Sequence, residues 1–162
     1  MFVTVHSAAA TIIGKKISNS TLAFVLSLIS HFILDLIPHG DESLGKKFLG
    51  IKIKNKEDFR ILALYGSIDT CLLAIFLIFL FKNFSFATND HVVWAIIGGI
   101  LPDVLVAFYK ITNLKLLKPI ADIHGRNHSW LIRKFKTDIP LKYGVILQII
   151  LMSLIVWLIY IV

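Results

Sequence analysis

A single cysteine, Cys71, in a chain of 162 residues excludes a disulfide framework and a thiolate metal site. It lies inside an apolar run, where a thiol serves as a small hydrophobic side chain. Charge is scarce as well. Asp, Glu, Lys and Arg make up 17% of the residues, against roughly 25% in an ordinary soluble domain, while hydrophobic residues reach 57% and the mean hydropathy is +0.81. That balance excludes a soluble globular domain and predicts an integral membrane protein. Internal repeats and low-complexity tracts are also lacking. Residues 1–162 leave room for one membrane-embedded helical domain and none for a separate soluble module. The net charge of +7 is therefore read as a topology signal and an attraction to anionic headgroups. No folded basic, aromatic-bearing face is left over for nucleic acid.

What is present is a set of long apolar runs. A membrane-spanning helix needs about 20 mostly apolar residues, and four runs approach or reach that length: Leu22 to Ile37, Ile61 to Phe81, Val92 to Tyr109 and Leu141 to Val162. A fifth, Phe2 to Ile13, is too short to span. The fold expected is all-α, a bundle of four spanning helices plus a short N-terminal helix. That first helix lacks a Lys or Arg ahead of its apolar segment and carries His6 inside it, which argues against a cleaved signal. It is expected to turn at Gly14-Lys15-Lys16, with Ser18-Asn19-Ser20 capping the next helix.

Two segments between the runs are basic. Gly40 to Arg60 carries six Lys/Arg against four acids, and Lys110 to Lys142 carries eight against two, whereas Lys82 to Asp90 has one Lys. The positive-inside rule puts both basic segments on the cytoplasmic face of the inner membrane. Lys15, Lys16 and the C-terminus then fall on the outer side.

Against this background the polar residues of the apolar runs stand out. A carboxylate or imidazole in hydrocarbon costs several kcal/mol unless it is paired, metal-bound or functional. His6, His31, Asp35, Asp69 and Asp103 all occupy such positions. In Ser30-His31-Phe32-Ile33-Leu34-Asp35-Leu36-Ile37-Pro38-His39-Gly40-Asp41, the four-residue spacing sets His31 and Asp35 about 40° apart on one helical face, one turn above the other. They can share a divalent cation, or simply hydrogen-bond each other. Pro38 disfavours helix at Ile37, so the helix is expected to end there and leave His39 beside Asp35.

In His124-Gly125-Arg126-Asn127-His128-Ser129 two imidazoles are again four apart, here in a cytoplasmic loop, with Arg126 available to clamp a phosphate or carboxylate. In Gly98-Gly99-Ile100-Leu101-Pro102-Asp103 the glycines admit a close helix neighbour, and Pro102 is expected to break or kink the helix so that Asp103 is offered at its end. Asp69, counted from Ile61, lies roughly 12 Å into the bilayer. It is read either as a further ligand or as a supporting partner. Residues scattered over more than a hundred positions thus arrive at one level, the inner membrane–water boundary.

Together these motifs resemble the YdjM-like family of small inner-membrane metal-dependent hydrolases. The resemblance runs from Val3 to about Trp130. It rests on His6, on Ser30-His31 with Asp35 and Pro38-His39, on Leu101-Pro102-Asp103, and on His124-Gly125-Arg126-Asn127-His128-Ser129. Two positions depart from the family pattern: Leu105 stands where a second acid is usual, and Gly125 and Arg126 are exchanged. Members of the family look similar, in ligand style, to the helical zinc-dependent phospholipases C. The resemblance implies a divalent metal, zinc by ligand type, held by His6, His31, Asp35, Asp103, His124 and His128, acting on a phosphoester.

Such a metal lowers the pKa of bound water and polarises a phosphoryl oxygen. Asp41, His39 or Asp69 is placed to orient the water, and Arg126 with Lys115 and Lys118 to hold an anionic headgroup. A phospholipid or isoprenoid phosphate reaches that depth without leaving the leaflet. Two other readings stay open at this point. A divalent-metal transporter would set His31, Asp35 and Asp69 together near the midplane. A non-catalytic scaffold would pair its polar side chains two by two.

Overall fold

The computed structural model describes residues 1–40, 56–135 and 139–161. Among them the chain is all-helical and without strands. The helices are α1 (Val3–Lys16), α2 (Ser20–Leu34), α3 (Lys56–Asn83), α4 (Asp90–Thr112), α5 (Lys118–His128), α6 (Trp130–Phe135) and α7 (Leu141–Ile161), with short 3-10 turns at Ser85–Thr88 and Lys115–Leu117.

Local chemistry sets several of the boundaries. Between α1 and α2 the Asn19 side chain accepts the Leu22 N–H at 2.9 Å, satisfying one of the unpaired donors of the first turn. At the other end of α2 the helix stops at Leu34, three residues earlier than Pro38 alone predicts, with Asp35 as its C-cap. Helix α4 passes through Pro102 and ends only where Asn113 takes the left-handed conformation, φ 54°. Asp103 is therefore not a helix-end residue but lies nine residues inside α4.

Among the described residues, three helices are long and apolar enough to cross a membrane: Gly66–Asn83 within α3, Asp90–Thr112 and Leu141–Ile161. The fourth expected span falls short, because α2 has 15 residues, about 22 Å of helix against a hydrocarbon core of about 30 Å. It pairs instead with α1 as a hairpin packed into the bundle. The core joins Val5 and Ala8 of α1, Phe76 and Leu80 of α3, Val92 and Ile96 of α4, and Ile155 and Ile159 of α7. The opposite faces of the long helices leave Ile75, Ile78, Trp94, Phe108, Ile149 and Trp157 exposed, a surface that acyl chains would cover.

The bundle has two unlike ends. At one, the Lys15 ammonium donates to the Ile159 carbonyl at 2.9 Å and lies 4.5 Å over the Phe86 ring. The α1–α2 turn, the Ser85–Thr88 turn and the end of α7 are thereby gathered there. At the other, Gly144 of α7 backs onto the His39 carbonyl so closely that any side chain at that position would collide with it. The end of α2 and the start of α7, which border the two basic segments, meet at this second end. Residues 41–55 and 136–138 of those segments lie outside the described residues.

Helix α4 reaches the centre of this arrangement through its glycine pair. A Cβ on Gly99 would stand 2.8 Å from the Ala10 Cβ, and one on Gly98 would strike the Phe24 carbonyl. The backbones of α1, α2 and α4 consequently touch, and Asp103, one turn further along, is delivered against the side chains of α1 and α2.

Candidate metal centre

Four helices supply the centre. His6 comes from α1, His31 and Asp35 from the end of α2, Asp103 from α4 and His124 from α5. His124 and His128, expected in a loop, stand on one face of a helix. Pro119 opens it, where its missing N–H costs nothing, and the four-residue spacing turns both imidazoles inward to buried positions. Asn127 between them donates to the Phe32 carbonyl at 2.7 Å and fastens α5 to α2.

The four groups His31, Asp35, Asp103 and His124 point at one another. His124 Nε2 lies 3.0 Å from Asp35 Oδ2, 3.1 Å from Asp103 Oδ1 and 3.2 Å from His31 Nε2. His31 Nε2 lies 3.2 Å from Asp35 Oδ2 and 3.8 Å from Asp103 Oδ1. Ligand bonds of about 2.0–2.1 Å in tetrahedral array give edges of roughly 3.3–3.4 Å, so the four atoms are spaced as the corners of a small divalent cation's shell. His6 Nε2 flanks them, 3.1 Å from Asp35 Oδ1 and 4.0 Å from Asp103 Oδ2, with its ring stacked 3.9 Å from that of His31. The Met1 amino group also donates to Asp35 Oδ1, at 2.8 Å.

Supporting hydrogen bonds fix which nitrogen faces inward. The Gly99 carbonyl can only accept, so the His31 Nδ1–H donates to it at 2.8 Å and Nε2 is turned to the centre. His39 follows the same pattern, its Nδ1–H donating to the Ile37 carbonyl at 2.7 Å. His124, on α5, lies outside the candidate spans. Burial pulls its pKa down, but the hydrogen bonds to Asp103 and Asp35 outweigh that and raise it to about 9. At neutral pH the metal-free centre therefore holds an imidazolium between two carboxylates, a positive charge where a cation would sit.

Of the candidates named from sequence, His39 and His128 lie beside this group. Asp35, His39 and His128 are all buried and offer ligand atoms within 4.8 Å of one another. Asp69 is engaged elsewhere. It accepts the Val3 N–H at 2.7 Å, the Thr4 N–H at 3.3 Å and the Thr4 hydroxyl at 2.8 Å, and so caps the N-terminus of α1. Arg126 is exposed on α5, as is Lys118, paired with Asp122 at 2.6 Å, and Lys115 is exposed in the 3-10 turn before that helix. Asp41 falls outside the described residues.

Two contributors escape a reading of the sequence. Gln148 is buried and accepts the Phe2 N–H at 2.6 Å; its signal is the one amide side chain in the otherwise apolar α7 run. The Gly99 carbonyl, acceptor for His31, leaves no signal at all. At 1.5 Å per residue, α4 continues about 14 Å past Asp103, and α5 packs back against it.

A buried centre of imidazoles and carboxylates, carried by a helical protein with three membrane-length apolar helices, is the class that fold and site define. No family model, curated protein or solved structure matches the chain.

Proposed function

We propose that this protein is a membrane-embedded hydrolase that uses a divalent metal, zinc by its ligand set, to cleave a phosphoester of a lipid or isoprenoid phosphate on the cytoplasmic side of the inner membrane. The observation that carries the reading is the convergence of His31, Asp35, Asp103 and His124, with inward-facing atoms 3.0 to 3.8 Å apart. These four are among the six residues that the resemblance to the YdjM-like family implies. A scaffold would neutralise the same side chains in separate pairs, whereas here four meet at one point. A transporter would recruit Asp69 as a deep ligand, and Asp69 instead holds a helix terminus. The basic segments leaving the site end support the cytoplasmic assignment.

A metal bound here would supply an activated water and polarise the phosphoryl oxygen. The chain's own groups have separate tasks. His31, Asp35, Asp103 and His124 hold the ion. His6, donating its Nε2–H to Asp35, orients that carboxylate. Arg126, Lys115 and Lys118, all exposed, are the cations that would hold an anionic headgroup.

Access is consistent with a lipid substrate. The side chains of His31 and Asp35 are wholly buried, while that of Asp103 is 19% exposed. Beside Asp103 the surface of α4 presents Val104 and Phe108, each about half exposed. The centre thus opens toward apolar surface.

The test is elemental analysis of purified protein together with hydrolysis assays on phospholipids and isoprenoid phosphates. Near one or more equivalents of zinc or manganese, with release of phosphate or headgroup that a chelator abolishes, is the expected result. Absence of metal overturns the reading, and bound metal without turnover on either substrate group moves it to a carrier.

A further inference from the structure

We infer that the centre holds two cations, the second between Asp35, His39 and His128, with the Asp35 carboxylate common to both; the inference rests on the metal reading above. Asp35 is the one residue that belongs to both ligand groups. It meets His31, Asp103 and His124 on one side, and His39 and His128 offer their ligand atoms within 4.8 Å of it and of each other.

Each element that builds the first position also leads to the second. Helix α5 places His128 one turn after His124, with ring centroids 5.9 Å apart, so a helix that docks one imidazole on Asp35 carries the next along the same face. The α2 C-terminus does the same from the other side. After Asp35 the chain leaves the helix, and His39 folds back until its ring lies 4.6 Å from that of His128 at 73°.

Burial argues for a ligand role as well. His39 and His128 are 2% and 8% exposed in a protein with ample lipid-facing and aqueous surface for imidazoles. The Nδ1–H of His39 is fixed on the Ile37 carbonyl, which leaves Nε2 as the atom able to coordinate. The backbone on which His39 rides is itself clamped, because Gly144 admits the His39 carbonyl and no larger residue would.

A shared carboxylate sets two ions about 3.5–4 Å apart, the separation at which a pair grips both the attacking and the leaving oxygen of a phosphoester. The substrate class narrows accordingly to phosphoesters that can bridge two ions through the phosphoryl group. In the cleavage, water forms the new P–O bond, the alkoxide leaves with the electron pair of the broken P–O bond, and the water's proton passes to the leaving oxygen.

The experiment is a titration of the metal-free full chain with Mn²⁺, followed by electron paramagnetic resonance and elemental analysis. Two equivalents per chain with an exchange-broadened spectrum are expected. His128→Gln and His39→Gln should each bind one equivalent and show the sharp six-line signal of an isolated ion, with helicity and elution volume unchanged. Either variant suffices if the other does not fold. One equivalent in the parent, unchanged in both variants, overturns the second position and leaves the first standing. Two equivalents without coupling overturn the shared carboxylate, and no bound Mn²⁺ or Zn²⁺ overturns both proposals.

Discussion

Asp35 and Asp69 look alike in the sequence, each a lone carboxylate within an apolar run, yet they meet opposite surroundings. Asp35 faces His6, His31 and His124; Asp69 faces two backbone N–H groups and a hydroxyl at the start of α1. Both escape the penalty of a bare charge in hydrocarbon. One does so among titratable groups that can exchange a proton for a metal, the other on the fixed positive end of a helix. Burial of a carboxylate thus marks a site only when its partners are themselves able to change state.

The sharpest way to break this contrast is Asp35→Ala. Elemental analysis should find essentially no zinc, since both ligand groups lose a member, and full occupancy in the variant would erase the distinction between the two aspartates. Asp69→Ala should leave the metal content at the parental level.

A second comparison uses pH on metal-free protein. His124, raised to about 9 from 6.5 by Asp103 and Asp35 against the effect of its burial, is protonated in both folded and unfolded chains below pH 6.5. Its stabilising contribution is complete there and is lost as pH rises through about 9. The shift corresponds to a loss on the order of 3 kcal/mol. Denaturant midpoints should fall between pH 6.5 and 10, and His124→Asn should flatten that fall.

Gly99→Val sharpens the argument without touching a ligand side chain. Its added carbons press on Ala10 and displace the carbonyl that orients His31. Loss of such a supporting partner costs about 10–100-fold in metal affinity, readable by competition with a chelating dye.

Asp69→Ala should cost roughly 1–2 kcal/mol of stability, the range for a lost helix cap. Lys118→Ala, which removes an exposed pair with Asp122, should leave denaturant midpoints essentially unchanged.

Periodicity and run length made part of this molecule legible. The His31–Asp35 spacing, the Asn19 cap, the glycine pair of α4 and the three membrane-length helices all follow from local pattern. The α2 boundary did not, because Pro38 limits where a helix can continue and does not dictate where it stops. Nor did the helix under His124 and His128. Its 11 residues are polar overall, and only docking on α2 through Asn127 gives that face something to bury against. Asp69 shows the same limit from another side. Residue counting sets its depth in the bilayer, but its partner comes from a helix 65 residues away.

The first turn of α1 is held by acceptors made much later in synthesis. Val3 and Thr4 donate to Asp69 of α3, and Phe2 to Gln148 of α7. Until α7 has entered the bilayer, the Phe2 N–H has no acceptor among these helices, and the segment bearing His6 has not been fastened on both sides. Ribosomes stalled before residue 141 should therefore expose a nascent chain whose first helix is held by Asp69 without Gln148.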